Sequence, residues 1–149
     1  MKLFITFSKR SLAAVLLSLI AALAVLSRVT ALSGGGINGS TNAERVDYMN
    51  SLGCNVEETA ISSKETVIPQ SFGKVYERYN SLQKKAGFDL APFHGREACV
   101  YTYRLADEPN TVINLIVANG CIIGGDISST ALDGLMLPLL SESVKKIET

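Results

Sequence analysis

The feature that most constrains this chain is a run without a single charge close to its N-terminus. Ser11 to Ser27 reads Ser-Leu-Ala-Ala-Val-Leu-Leu-Ser-Leu-Ile-Ala-Ala-Leu-Ala-Val-Leu-Ser. A helix of about 17 residues spans about 25 Å, and Val29 to Leu32 extend it towards the roughly 30 Å of a hydrocarbon core if Arg28 snorkels. The run is apolar all round, which argues against a helix with one face in a soluble core. Lys2, Lys9 and Arg10 precede it and Arg28 follows. The excess of positive charge on the N-terminal side puts the N-terminus in the cytoplasm and everything after Leu32 outside. Two readings remain open. The preferred one is an uncleaved anchor in the cytoplasmic membrane, giving a single-pass protein. The other is a signal peptide cut after Val29-Thr30-Ala31, giving a secreted one. Both export the rest of the chain.

The expected organisation is therefore an anchor over residues 1–32, a Gly/Ser linker over 33–40 and an α+β domain over 41–149. Ser33-Gly34-Gly35-Gly36-Ile37-Asn38-Gly39-Ser40 offers little to bury, so it reads as a flexible spacer. All 14 acidic side chains of the 149-residue chain, but only about ten of its basic ones, lie from Ser33 onward, leaving the domain at about −4. No basic patch is present to neutralise phosphates, which excludes a nucleic-acid partner. The three cysteines, Cys54, Cys99 and Cys121, have no metal-ligand spacing, and His94 is the single histidine. No metal or cofactor is expected.

Within the domain, Thr41-Asn42-Ala43-Glu44 fits a capping box. Ala43, Val46, Met49 and Leu52 continue as an apolar stripe, and Gly53 supplies a left-handed stop. Short strands are expected near Cys54 to Glu58 and from Lys64 to Ile68, the latter ended by Pro69. A second helix carries Phe72, Val75, Tyr76, Tyr79, Leu82 and Ala86 on one side and ends at Gly87. Cys99, Tyr101, Tyr103 and Leu105 alternate with Ala98, Val100 and Thr102 along a strand. Thr111 to Ala118 is almost wholly apolar, as a strand covered on both faces should be. Asn119-Gly120 is a strong hairpin signal, and Cys121 to Ile127 returns antiparallel. The expected fold is two helices on a small antiparallel sheet that ends in a three-stranded meander. Ser128 to Gly134 reads as a loop, and the tail beyond Pro138 as a frayed helix. In simple register Cys99 lies beside Val117, and Val117 beside Ile122. That sets Cys99 and Cys121 on strands two apart, about 9–10 Å, too far for a disulfide.

The stretch from about Asn42 to Gly134 resembles an uncharacterised family of domains of unknown function. The residues that carry the resemblance are Asn42-Ala43-Glu44-Arg45, Ile68-Pro69 with Phe72, and Val75-Tyr76-Glu77-Arg78-Tyr79-Asn80 with Leu82-Gln83-Lys84. Gly87-Phe88-Asp89-Leu90, Gly95, Tyr101-Thr102-Tyr103, Gly124-Gly125-Asp126 and Leu132-Asp133-Gly134 follow in order. The resemblance implies membrane-anchored proteins of Gram-positive, clostridia-like bacteria, with a short N-terminal membrane segment and an exported domain. It implies no activity. Cys54 departs from the pattern, since relatives carry an aromatic residue after the helix-ending glycine.

Gly124-Gly125-Asp126 with Ser128, Ser129 and Thr130 is the most suggestive cluster for ligand binding. Glycines at a strand end let a ligand approach, and a carboxylate with hydroxyls beside it suits a cation, a sugar or a peptide terminus. The structural alternative, a bulge with Asp126 capping the next turn, is favoured. The tyrosines at 76, 79, 101 and 103 read as core residues on a helix and a strand packed together. No paired carboxylates, nucleophile elbow, Walker loop or dinucleotide fingerprint is present. The expected function is a non-catalytic binding or interaction module whose partner is an envelope protein, glycan or small ligand. The alternative is a small envelope hydrolase or transferase with its site near Asp126.

Overall fold

The capping box forms as its sequence requires. In the computed structural model, which describes residues 36–130 and 134–147, Thr41 Oγ1 accepts from the Glu44 N–H at 3.2 Å. Glu44 Oε2 accepts from the Thr41 N–H at 2.9 Å. That backbone donor holds the Glu44 carboxyl below the usual carboxylate range. The helix, α1, runs Asn42–Ser51, and Gly53 leaves it at a φ of 86°. Its buried face is Arg45 and Met49, with Val46, Tyr48 and Leu52 packed beside them. Ala43, expected on the apolar stripe, is exposed instead.

The strands are β1 Ile37–Asn38, β2 Ser62–Val67, β3 Glu97–Arg104, β4 Thr111–Ala118, β5 Cys121–Ser129 and β6 Met136–Pro138. They form one antiparallel sheet in the order β1-β5-β4-β3-β2, with β6 also paired to β5. The meander β3-β4-β5 is its centre. Its register is the expected one, Cys99 opposite Val117 and Val117 opposite Ile122, and none of Cys54, Cys99 and Cys121 is in a disulfide. Asn119 and Gly120, both at positive φ, turn the β4–β5 hairpin.

The described residues form two further helices, α2 Lys74–Lys85 and α3 Ser141–Ile147. The chain is α+β, but its helices lie on both faces of the sheet. Ile113, Leu115 and Val117 of β4 join Met49 of α1, Val144 of α3 and Leu139 in one core. Ile116 and Ala118 join Ile68, Leu90, Phe72, Tyr76 and Tyr79 in a second core beneath α2. The period of two along β4 thus feeds opposite cores, which explains its nearly unbroken apolar sequence.

Several expectations change. The expected strand near Cys54 to Glu58 is a single bridge, Val56 to Leu105. Ile37–Asn38, inside the stretch expected as linker, pairs with Cys121 and Ile122. Strand β5 runs on to Ser129, into the expected loop, and Met136–Pro138 just beyond that loop forms β6, whose Pro138 is tolerated because β6 lies at the rim of the sheet. On α2, Val75 is 83% exposed, while Asn80 and Gln83 face inward. Tyr76 and Tyr79 belong to one core and Tyr101 and Tyr103 to the other, so the four tyrosines do not pack together. The anchor expected over 1–32 and Asp133 lie outside the described residues. Among those described, no helix is long and apolar enough to cross a membrane.

Candidate functional site

β5 carries an extra residue between its pairs with β4. Val117 pairs with Ile122 and Ile116 with Gly124, leaving Ile123 unpaired as a bulge. The two glycines after it lie under close contacts from opposite sides. A Cβ on Gly124 would stand 2.8 Å from Gln83 Oε1, and one on Gly125 would stand 2.7 Å from the Asn114 carbonyl and 2.8 Å from Leu139. They are glycines because α2 and the segment leading into α3 press there, not because a ligand needs the space. Gln83, completely buried, accepts from the Gly125 N–H at 2.8 Å and so ties α2 to the sheet.

Asp126 follows on the α2 side and is only 2% exposed. Its Oδ1 accepts from Tyr79 Oη at 2.8 Å. Its Oδ2 accepts from Asn114 Nδ2 at 3.0 Å and from Ser128 Oγ at 2.5 Å. Asn114 Oδ1 in turn accepts from Thr102 Oγ1 at 2.9 Å. The carboxylate is therefore held by neutral donors from two strands and a helix, with β3 reached only through Asn114. Burial, reinforced by the Asp126 charge, pushes the Tyr79 phenol far above its ordinary value, so Tyr79 remains a donor.

The structure brings Gly124, Gly125, Asp126 and Ser128 together, but not Thr130. Thr130 bonds the Asn110 carbonyl instead. His94 sits at the end of the Ala91–Phe93 turn, its Nδ1 2.6 Å from the Pro69 carbonyl oxygen and its ring 4.2 Å from that of Phe72. It is not among the partners of Asp126.

Two features escaped the sequence reading. One is Arg45. Its Nε donates to Tyr103 Oη at 2.8 Å, and its Nη1 donates to the carbonyls of Gly39 at 2.7 Å and Ser40 at 3.1 Å. Its guanidinium lies 3.7 Å from the Tyr101 ring centroid. A buried cation is thus satisfied by carbonyl and phenol oxygens and an aromatic face. The signal was present, because Arg45, Met49 and Leu52 share helical spacing.

The other is the β2 side of the sheet. Ser62 to Glu65 and Val67 are exposed, and β2 ends the strand order. Beside it a trough of about 490 Å³ opens across β2, β3 and β4. By register, Glu65, Val67, Glu97, Cys99 and Val117 line it from one face. Val67 is 55% exposed there. The signal was a strand lacking any apolar face: Ser62-Ser63-Lys64-Glu65-Thr66 alternates nothing, as suits an uncovered edge.

These features define an α+β domain built on a six-stranded antiparallel sheet with helices on both faces. The chain matches the family model described as a domain of unknown function, DUF4830, over residues 48–127, and it belongs to that family. No curated protein and no solved structure matches it. The matched stretch runs from the end of α1 to Ile127, and so includes the trough, the bulge and Asp126.

Proposed function

We propose that this chain is an exported interaction module, held at the cytoplasmic membrane by its N-terminal segment and acting through contact rather than catalysis. The charge-free run from Ser11 to Ser27, with its basic flank, supports the tether and its orientation. One observation carries the contact role: β2 and the adjoining trough leave backbone, Val67 and two carboxylates open to a partner. Asp126 weighs against the enzyme alternative. A general acid or base must reach the proton it transfers, whereas both oxygens of this buried carboxylate are taken up by protein donors. The same engagement makes Gly124, Gly125, Asp126 and Ser128 a brace between α2 and the sheet.

Site-specific photo-crosslinking in membranes from the native host tests this reading. A photoreactive residue at Val67 is expected to give a discrete adduct. The same residue at Val75, exposed on α2, is expected to give none. Equal labelling from both positions, or no adduct from Val67, overturns the interaction role.

A further inference from the structure

The β2 side is open in a particular way. Ile68 N–H donates to the Arg96 carbonyl at 2.9 Å, continuing the register in which Thr66 faces Ala98 and Lys64 faces Val100. In an antiparallel ladder, residues in such hydrogen-bonded pairs direct N–H and C=O inward, and the residues between them direct theirs outward. Ser63, Glu65 and Val67 therefore present their backbone groups to the free side of the sheet. Their side chains share the face of the trough, because Glu65 is opposite Cys99 and Val67 opposite Glu97. Glu65 and Glu97 are exposed diagonal neighbours on that face, and neither is ion-paired among the described residues. Lys64 points to the opposite face.

A second copy of β2 fits this edge poorly. Outward-facing residues must meet outward-facing residues, so the two fullest symmetric registers centre on Glu65 or on Lys64. The first sets Glu65 against Glu65 and the second Lys64 against Lys64, and like charges directly opposite destabilise a pair. The edge is thus guarded against itself while its backbone remains available. A heterologous strand meets no such penalty if its charge is reversed.

We infer that β2 accepts an extended peptide segment of a partner protein as a seventh strand, and that this segment carries basic residues two positions apart. This rests on the interaction reading above and specifies the chemistry of the partner. One basic side chain lies opposite Glu65. The next lies opposite Val67, where a lysine or arginine stem covers the exposed valine and its cation reaches towards Glu97. The floor of the trough, Cys99 and Val117, is then shielded from solvent.

The test uses the full chain in detergent micelles and a fluorescent, end-capped heptapeptide, TVKTKVT, followed by anisotropy. Alkylation of Cys99 by N-ethylmaleimide is measured in parallel, with Cys121 as the internal reference. Saturable binding with selective protection of Cys99 is expected. The double variant Glu65→Lys/Glu97→Lys is expected to weaken binding roughly tenfold and to favour the acidic peptide TVETEVT instead. N-methylation of alternate peptide amides is expected to abolish binding, since it removes the donors that pair with β2. Binding that survives N-methylation reduces the contact to bulk charge and overturns strand addition. So does the absence of binding at about 1 mM peptide, or a β2-mediated dimer of the chain in sedimentation. Any of these three, together with a Val67 adduct in membranes, refutes strand addition while the interaction role stands. Loss of the adduct refutes both.

Discussion

Among the described residues, Asp126 and Arg45 are the two charged side chains taken out of water, and each is satisfied without a salt bridge in its immediate shell. Asp126 collects hydroxyl and amide donors; Arg45 collects carbonyl and phenol acceptors. A buried charge that loses a partner keeps its desolvation cost, so truncations here should be expensive. Tyr79→Phe removes the donor to Asp126 Oδ1 and is expected to cost about 1–3 kcal/mol in denaturant unfolding. It should also change the alkaline limb of stability. The Tyr79 phenol is raised in the folded protein, so its contribution is complete below the unfolded value of about 10 and is lost as pH climbs towards the folded one. Melting temperature against pH above about 10 should fall less steeply in the variant than in the parent. Arg45→Lys retains the charge but not the planar fork, and a loss of about 1–3 kcal/mol is expected.

At the scale of elements, the meander was legible in the sequence because its signals agree. Alternation in Cys99 to Leu105, a doubly covered apolar strand and an Asn-Gly turn all specify one register. Helix α1 was legible from its cap and in most of its inward face, where Val46, Met49 and Leu52 pack as expected, but a stripe counted in apolar residues takes in the exposed Ala43 and skips the buried Arg45. Helix α2 was displaced in the same way. Asn80 faces inward to accept from the Leu90 N–H at 2.8 Å and to donate to Asp89, while Val75, apolar by type, faces water. Val75→Lys should therefore shift stability by no more than about 0.5 kcal/mol. Gly125→Ala should cost about 1–3 kcal/mol, because the nearest atom to the new methyl is a strand carbonyl that cannot swing aside. Both are measurable in one set of unfolding curves. The Gly124-Gly125-Asp126 cluster was legible as unusual, but its role was not. Only the tertiary fold places Gln83 and Leu139 on either side of it. Strands β1 and β6 were illegible because two or three residues carry no periodicity.

For the molecule as a whole, the two rims of the sheet contrast. On the β5 side, β1 and β6 cap successive parts of one strand, and Arg45 fastens the entering chain at Gly39 and Ser40. On the β2 side, the described residues place nothing over the edge, and charged side chains discourage only self-association. The sheet is therefore asymmetric: one closed rim where the chain enters the domain, one open rim for a partner. Amide hydrogen exchange on the full chain tests that asymmetry most directly. The amides of Lys64 and Thr66, bonded to β3, should be protected, while those of Ser63, Glu65 and Val67 should exchange at nearly the free-peptide rate. Protection at all five positions would mean that the edge is already covered, and would contradict the account.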